Sequence, residues 1–510
     1  MVQFDETAYL RMAENLAQGM KPFDISGMTD THYAPLLPML IVVLNLVFHN
    51  FILSGYLVVA IFGALLVVPA YYLTRELIGE RVGLMAAALT GLTPFFIGTS
   101  EYIYTEMLYI FLLLSAVYFG WVMLARRRLL HGAMAGLTLG LAYLANPSTL
   151  FYFVILLVLV PFVALRKGGW QRLLTVAAVF GAVFLLFAVP YIWYLHHELG
   201  RWTYSGKFVA GNIYSATYNV PRDNTKDWEK ALLPLNDDGT EIKVLLLEQD
   251  SNLNNPINFA LHFPVQAAKN FVKQLYVLHS KVMQQIFPLW LLPLLGLGLF
   301  ARGWDRRRAV VIGYLSLMTM PVLLVLSMLT FPRFFMPFIP FGMIFVAIGW
   351  RQLEDWGRQT AARIADPERA RRWQRLAPWI IGMLVVVPVL AMGAFTLLKQ
   401  NYSVEYKEAG QWVKDNEGSG HTIMDREFSA AYYARGTAVL LPYDSYERTT
   451  NYARLKGVDY MIIGRQAIND WRPDLARLTD SDAAAHPEWK LVHSSRPGTG
   501  KETYVFQLVK

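Results

Sequence analysis

Apolar runs, most of about 18 residues or more, recur along this chain, each able to cross a hydrocarbon core of roughly 30 Å. Inside a bilayer no water satisfies the backbone, so a spanning run of this kind has to form a helix. The runs fall at about 51–78, 82–103, 107–125, 130–145, 148–165, 172–195, 284–301, 308–330, 334–350 and 378–398. The expectation is a polytopic α-helical membrane protein of about ten spans. Composition agrees: 55% of the residues are hydrophobic and 16% charged, whereas soluble domains carry about a quarter charged. There is no cysteine among the 510 residues, which excludes disulfides, thiolate metal sites and thiol nucleophiles.

The cations set the orientation. Arg75/Arg81, Arg126-Arg127-Arg128, Arg166/Lys167/Arg172, Arg302/Arg306-Arg307-Arg308 and the segment Arg351 to Arg375 occupy every second loop. The positive-inside rule makes those loops cytoplasmic. It also accounts for the net charge of +8 without a nucleic-acid partner. The alternate loops are then external: residues 1–50, Ser100 to Glu106, Asn146-Pro147, 196–283, Phe331 to Phe334 and 399–510.

Three regions follow. Residues 1–50 form an external acidic loop with two interfacial elements. The first, Thr7 to Gly19, alternates apolar Ala8, Leu10, Met12, Ala13, Leu16 and Ala17 with polar Arg11, Glu14 and Gln18, as an interfacial helix does. The second, Pro35 to Asn50, is apolar but short and reads as an interfacial or re-entrant element rather than a full span. No spanning segment precedes Asp5, and a chain that begins outside leads us to expect either a further helix ahead of it or a first apolar element that serves as an internal signal. Residues 51–398 hold the spans, with the polar and aromatic loop 196–283 too long for a plain connection. Residues 399–510 read as a small external α/β domain. It has strands at His421–Met424, Ala438–Leu441, Tyr460–Ile463, Trp489–Val492 and Tyr504–Leu508, and helices over Tyr406–Asp415 and near Tyr446–Lys456.

Candidate chemistry sits in the external loops. Asp5 and Glu6 open the first helix, where negative charge is favoured, and Glu106 begins a span with Thr105 as a potential cap. Carboxylates converging from two loops suit a general base toward a hydroxyl, and Asp5 with Glu106 also suits a divalent cation without requiring one. Arg333 lies between two spans and is suited to a phosphate, or alternatively to snorkelling at the interface. His196 and His197 are candidates for phosphate or metal contact. Trp202, with the tyrosines of the same loop, is a candidate for stacking on a sugar or for the interfacial aromatic belt.

The stretch Phe4-Asp5-Glu6-Thr7-Ala8-Tyr9 through Ala13-Glu14-Asn15-Leu16-Ala17-Gln18-Gly19 resembles the first external loop of the GT-C superfamily of lipid-linked-sugar glycosyltransferases. The likeness is to the branch holding protein O-mannosyltransferases and bacterial aminoarabinose transferases. It continues at His32-Tyr33-Ala34-Pro35-Leu36-Leu37-Pro38, at Tyr104-Thr105-Glu106-Met107-Leu108, over Gly136 to Leu150, and at Arg333-Phe334-Phe335-Met336-Pro337-Phe338-Ile339-Pro340. The segments Ala409-Gly410-Gln411-Trp412-Val413-Lys414 and Gly457-Val458-Asp459-Tyr460-Met461-Ile462-Ile463 resemble the external domain of bacterial members. Two positions depart from the pattern. Asn146-Pro147 stands where many relatives have Lys or Arg before Gly or Pro, and Tyr33-Ala34 stands where aminoarabinose transferases have Glu-Lys.

The resemblance implies transfer of a sugar from a polyprenyl phosphate to an acceptor hydroxyl with inversion, at a bacterial inner membrane with the C-terminal domain periplasmic. It assigns catalysis to Asp5, Glu6 and Glu106, with Asp5 as base. Donor phosphate and lipid fall to Arg333, Tyr9, His32 and Tyr33, and sugar or acceptor contacts to Tyr104, His196, His197 and Trp202. The acceptor is a lipid, glycan or protein, and no cofactor beyond a divalent cation is implied. Competing readings are an O-antigen polymerase or ligase, a transporter, and a non-enzymatic scaffold. A transporter would carry inverted repeats and charged, broken spans, and the spans here are nearly charge-free.

Overall fold

The computed structural model describes residues 5–20, 31–207, 213–214, 217, 230–243, 256–301, 305–323, 331–398, 404–479 and 486–509. Phe4, Tyr218 and Asn252 to Asn255 of the Asn-rich stretch lie outside them.

Among the described residues, ten helices run to residue 199: α1 (Asp5–Ala17), α2 (Leu36–Phe48), α3 (Phe51–Leu65), α4 (Val67–Leu77), α5 (Glu80–Gly91), α6 (Pro94–Thr99), α7 (Glu106–Arg126), α8 (Leu129–Ala145), α9 (Thr149–Lys167) and α10 (Trp170–Leu199). Five helical stretches among the described residues are long and apolar enough to cross a membrane: Phe51–Leu77, Glu106–Arg126, Thr149–Arg166, Trp170–Leu199 and Pro367–Leu398. A sixth span is available as the pair Pro264–Ile286 and Leu289–Phe300, bent by 101°. The expected span 82–103 is instead two helices. Pro94 starts α6 behind an extended Thr93, because proline disfavours helical geometry in the residue before it. The run expected over 334–350 forms the longer helix Phe338–Ala361.

Helix α7 is the centre of the bundle and is buried along most of its length. Peripheral helices turn apolar side chains outward, such as Leu46, Val47, Leu165, Leu186 and Trp193, as lipid-facing surfaces do. Helix α1 is different. Its apolar residues from Ala8 to Ala13 are buried, and so are Glu6, Glu14 and Asn15 on its polar side. A helix expected to show one face to water is therefore enclosed on both.

The Arg-bearing ends meet one another. Arg126 pairs with Glu76 at 2.6 Å, Arg127 donates to the Gly168 carbonyl, and Arg172 donates back to the Arg127 carbonyl. Arg81 and Arg351 share the buried Glu354. All the Arg-marked turns involved thus lie at one end of the bundle.

The C-terminal region folds as a five-stranded sheet in the order β2-β1-β3-β5-β4. Its strands are β1 (Thr422–Asp425), β2 (Thr437–Leu440), β3 (Tyr460–Gly464), β4 (Trp489–Ser495) and β5 (Thr503–Leu508). The first three are parallel, and β5 pairs antiparallel with β3 and β4. All five lie within a few residues of the positions expected from apolar runs. Helices Val404–Asn416 and Tyr446–Leu455 also form where expected. Residues 230–243 of the long loop dock on this domain, with Leu233, Leu235 and Ile242 inside its core and Lys456 paired with Glu241.

Candidate active site

Three separate segments converge at the N-terminus of α1. Asp5 lies in its first turn, Glu106 begins α7, and Arg333 sits in the short 3-10 turn Pro332–Phe335 ahead of helix Phe338–Ala361. Both carboxylates stand at helix N-termini, where unpaired backbone N–H groups favour negative charge. Arg333 Nη1 donates to Asp5 Oδ2 at 2.6 Å, and its Nε lies 3.9 Å from Glu106 Oε1. The Tyr33 hydroxyl donates to the other Asp5 oxygen at 2.7 Å. Asp5 keeps 24% of its side chain exposed and Arg333 37%, so the cluster remains open to a ligand.

The charges tune one another. Burial alone would push the Asp5 carboxyl up, but the Arg333 guanidinium, the Tyr33 hydroxyl and His32 outweigh it and hold Asp5 below its ordinary range. Burial likewise disfavours charge on Arg333, and Asp5 and Glu106 more than compensate. His32, packed edge-on against Tyr33, is pushed down to about 4 by burial and the nearby Lys207 cation. It is therefore neutral at neutral pH. Burial, followed by the Asp5 charge, raises the phenols of Tyr9 and Tyr104, which stay protonated.

Among the other expected residues, Tyr9 packs against Tyr33 with ring centroids 4.8 Å apart and points its hydroxyl at Thr105 Oγ1, 3.5 Å away. Tyr104 lies under Arg333, its ring centroid 5.5 Å from the guanidinium carbon. Glu6 is fully buried and accepts the Ile103 backbone N–H at 2.8 Å. Its side chain ties α1 to the loop that carries Tyr104 and Glu106. His196, His197 and Trp202 form their own group at the end of α10. His196 stacks on Trp202 at 4.0 Å, and His197 lies against Trp193 and Glu198. Among the described residues, none of the three shares a hydrogen bond, ion pair or ring contact with Asp5, Glu106 or Arg333.

Lys207 is the residue the sequence reading missed. The Tyr143 hydroxyl of α8 donates to the Tyr204 carbonyl at 2.5 Å, and Phe151 of α9 packs edge-on against the Tyr204 ring. At Gly206 a Cβ would lie 2.0 Å from the Thr31 carbonyl oxygen, so only glycine permits this approach. The strap thereby brings Lys207 within electrostatic reach of His32, Glu106, Arg333 and Asp5. Burial lowers the Lys207 ammonium pKa, with the Glu106 and Asp5 charges opposing the shift. The available signal was the Ser205-Gly206-Lys207 step immediately after Trp202-Thr203-Tyr204.

Among the described residues no three His, Asp or Glu side chains group to hold an ion, and the Arg333 guanidinium already lies against both carboxylates. The assembled chemistry is a deprotonated, partly accessible carboxylate beside a guanidinium, with a lysine amine nearby whose charged form burial disfavours.

A family model described as oligosaccharyl transferase STT3, N-terminal, matches residues 3–231. No curated protein sequence matches the chain. The archaeal oligosaccharyltransferase AglB from Archaeoglobus fulgidus, solved with an inhibitory peptide and a dolichol-phosphate, has a similar structure. Its TM-score is 0.61 at 15% identity, over 98% of this chain and 70% of that one. ArnT from Cupriavidus metallidurans bound to undecaprenyl phosphate matches with TM-score 0.56 at 12% identity, over 100% of this chain and 94% of that one. The arabinofuranosyltransferase AftD from Mycobacteria matches with TM-score 0.51 at 12% identity, over 100% of this chain and 38% of that one. At these identities the likeness to each structure is one of fold.

Proposed function

We propose that this chain, a member of the GT-C superfamily of lipid-linked-sugar glycosyltransferases, moves a sugar from a polyprenyl phosphate to an acceptor hydroxyl on the external face of the membrane, inverting the anomeric carbon. The observation that carries this reading is the contact between Asp5 and Arg333. It joins a carboxylate held deprotonated to a cation suited to a phosphate, on the side of the bundle away from the Arg-marked turns. Two structural relatives were solved with polyprenyl phosphates, which supports that donor class.

The chemistry balances with this chain's own groups. The acceptor oxygen attacks the anomeric carbon as the bond from that carbon to the phosphate oxygen breaks. The acceptor proton passes to Asp5, and the electron pair leaves with the polyprenyl phosphate. An Asp of lowered pKa is a weak base, so its contribution is positional and grows as the attacking hydroxyl becomes acidic. Arg333 offers five N–H donors, of which one is spent on Asp5, and the rest can take the phosphate oxygens. Lys207 completes the cation pair. The donor phosphodiester carries one negative charge and the departing phosphate monoester gains a second, and both favour the charged form of Lys207, which fills the role that Asn146-Pro147 leaves without a cation. Tyr33 and Glu106 hold Asp5 and Arg333 in register, while Glu6 fixes the loop behind them. His32 and Tyr104 stand half-buried beside the same cluster and offer a neutral hydrogen-bonding group and an aromatic face to sugar or lipid, while the buried Tyr9 packs behind them against Tyr33. The membrane is a bacterial inner membrane, with residues 399–510 on its periplasmic side.

The test is transfer from a radiolabelled polyprenyl-phosphate sugar by purified protein in liposomes. Asp5→Asn is expected to lower turnover by about 100-fold or more while the donor still binds, and Lys207→Ala to raise the donor KM. Near wild-type turnover by folded Asp5→Asn protein would remove the base assignment. Substrate-dependent counterflow without sugar cleavage would favour a transporter instead.

A further inference from the structure

The small domain reaches into the helix that carries Asp5. Glu14 lies nine residues beyond Asp5 on α1, about 14 Å along the axis. Only 5% of its side chain is exposed. The Tyr432 hydroxyl donates to Glu14 Oε1 at 2.9 Å, and Arg435 Nη1 donates to Oε2 at 3.1 Å. Arg11 reinforces the junction. It approaches Glu14 at 3.7 Å, donates to the Gly436 carbonyl at 3.5 Å, and lies over the Tyr432 ring.

The partner surface is built to hold still. Tyr432 belongs to the short helix Ser429–Tyr433, bracketed by Phe428 and Arg435 in left-handed conformations. Asp425, at the end of β1, accepts the backbone N–H groups of Phe428, Ala430 and Ala431. Gly410 of helix Val404–Asn416 lies so close that a Cβ there would meet the Ala430 carbonyl oxygen at 2.3 Å. This surface is locked to the sheet on one side and to Glu14 on the other.

We infer that Glu14 is a positioning residue, through which the C-terminal domain sets the pose of α1 and hence the aim of Asp5 at the acceptor proton. A charge-assisted contact to a buried carboxylate is strong and directional. A long helix transmits a tilt at one end to the other, and a misplacement of about 1 Å at a reacting group costs up to about 100-fold in rate. Glu6, bound to the backbone of the loop before α7, holds the other end of the helix, so α1 is fixed at both ends by buried carboxylates. The domain thus belongs to the catalytic apparatus without touching substrate.

The inference rests on Asp5 acting as the base, and the experiment separates the two. Full-length Glu14→Gln, Arg435→Met and the double variant are compared with wild type and Asp5→Asn in the liposome assay, with thermal midpoints measured in parallel. Arg435 is half exposed, so Arg435→Met tests the contact even if Glu14→Gln fails to fold. Each single variant is expected to lower kcat about tenfold with donor KM unchanged within about twofold, and the double variant to be no worse than the singles because the two residues act through one contact. Arg435→Lys, which keeps the charge, should recover part of the loss. Wild-type kcat in folded Arg435→Met protein, a loss carried entirely by donor KM, or losses that multiply in the double variant would each overturn the inference. Full activity of Asp5→Asn would instead overturn the base assignment, whatever Glu14→Gln does.

Discussion

At the scale of single residues, the site is governed by how Asp5 is kept charged. Burial raises its pKa, and the net lowering depends on Arg333, on the Tyr33 hydroxyl and on His32. As the proposed base, an Asp5 held below its ordinary range stays competent as pH falls, so the acid limb of the rate profile should lie below the usual carboxylate value of about 4. Tyr33→Phe removes one hydrogen bond to the charged form. The Asp5 pKa then rises, and the acid limb of kcat/KM moves to higher pH with the alkaline side unchanged. A profile that does not move in folded Tyr33→Phe protein would mean that Asp5 does not set that limb. Asp5, Glu106 and Arg333 were legible in the sequence because the stretches that carry them resemble family elements in order and fall in loops on the same side of the membrane. Lys207 and Glu14 were not. Each looks like an ordinary polar residue until the fold surrounds it, and one charged side chain in a loop or on a helix carries no record of what will bury it.

At the scale of elements, glycine decides how closely helices approach. Gly132, Gly136 and Gly140 form a stripe on α8 that faces α10, and a Cβ at Gly136 would sit 2.5 Å from the Phe180 carbonyl oxygen. Small residues at this spacing let helix backbones pack together without a hydrophobic driving force between them. The packing has a functional consequence, because α8 also carries Tyr143, which anchors the strap leading to Lys207. Gly136→Ala should therefore lower the thermal midpoint in detergent, reflecting about 1–3 kcal/mol of overpacking, and raise the donor KM together with it. A stable variant with unchanged KM would separate the stripe from the site. Strands β1 to β5 were legible in the sequence because apolar residues and turn residues alternate cleanly there. The division of 82–103 into α5 and α6 depends on local backbone geometry at Thr93-Pro94, which a smooth apolar run conceals. The enclosure of α1 was also hidden, since its polar face finds partners more than 400 residues away in the sequence.

At the scale of the whole molecule, the chain is polarised. Arg-marked turns interlock at one end of the bundle, and Asp5, Glu106, Lys207 and Arg333 gather away from them. The absence of cysteine makes single-cysteine labelling clean. In spheroplasts, Lys490→Cys in the small domain should react with a membrane-impermeant maleimide, and Arg371→Cys in the Arg-rich segment should react only after permeabilisation. The reverse pattern would turn the protein over and put the site on the cytoplasmic face. Residues 230–243 and helix α1 both dock on the small domain, which ties that domain to the long loop as well as to the helix bearing Asp5.

Hydropathy and cation placement determined, from sequence alone, that this is a helical membrane protein with a small C-terminal α/β domain. These properties are sums over many residues, and each segment carries its own part of the signal. Only the tertiary structure decided that Asp5 and Glu106 share the Arg333 guanidinium, that Lys207 comes within electrostatic reach of them, and that Glu14 binds the small domain to the same helix. Such contacts link residues up to several hundred positions apart, and their energy exists only once burial has removed the water that would otherwise solvate each charge separately.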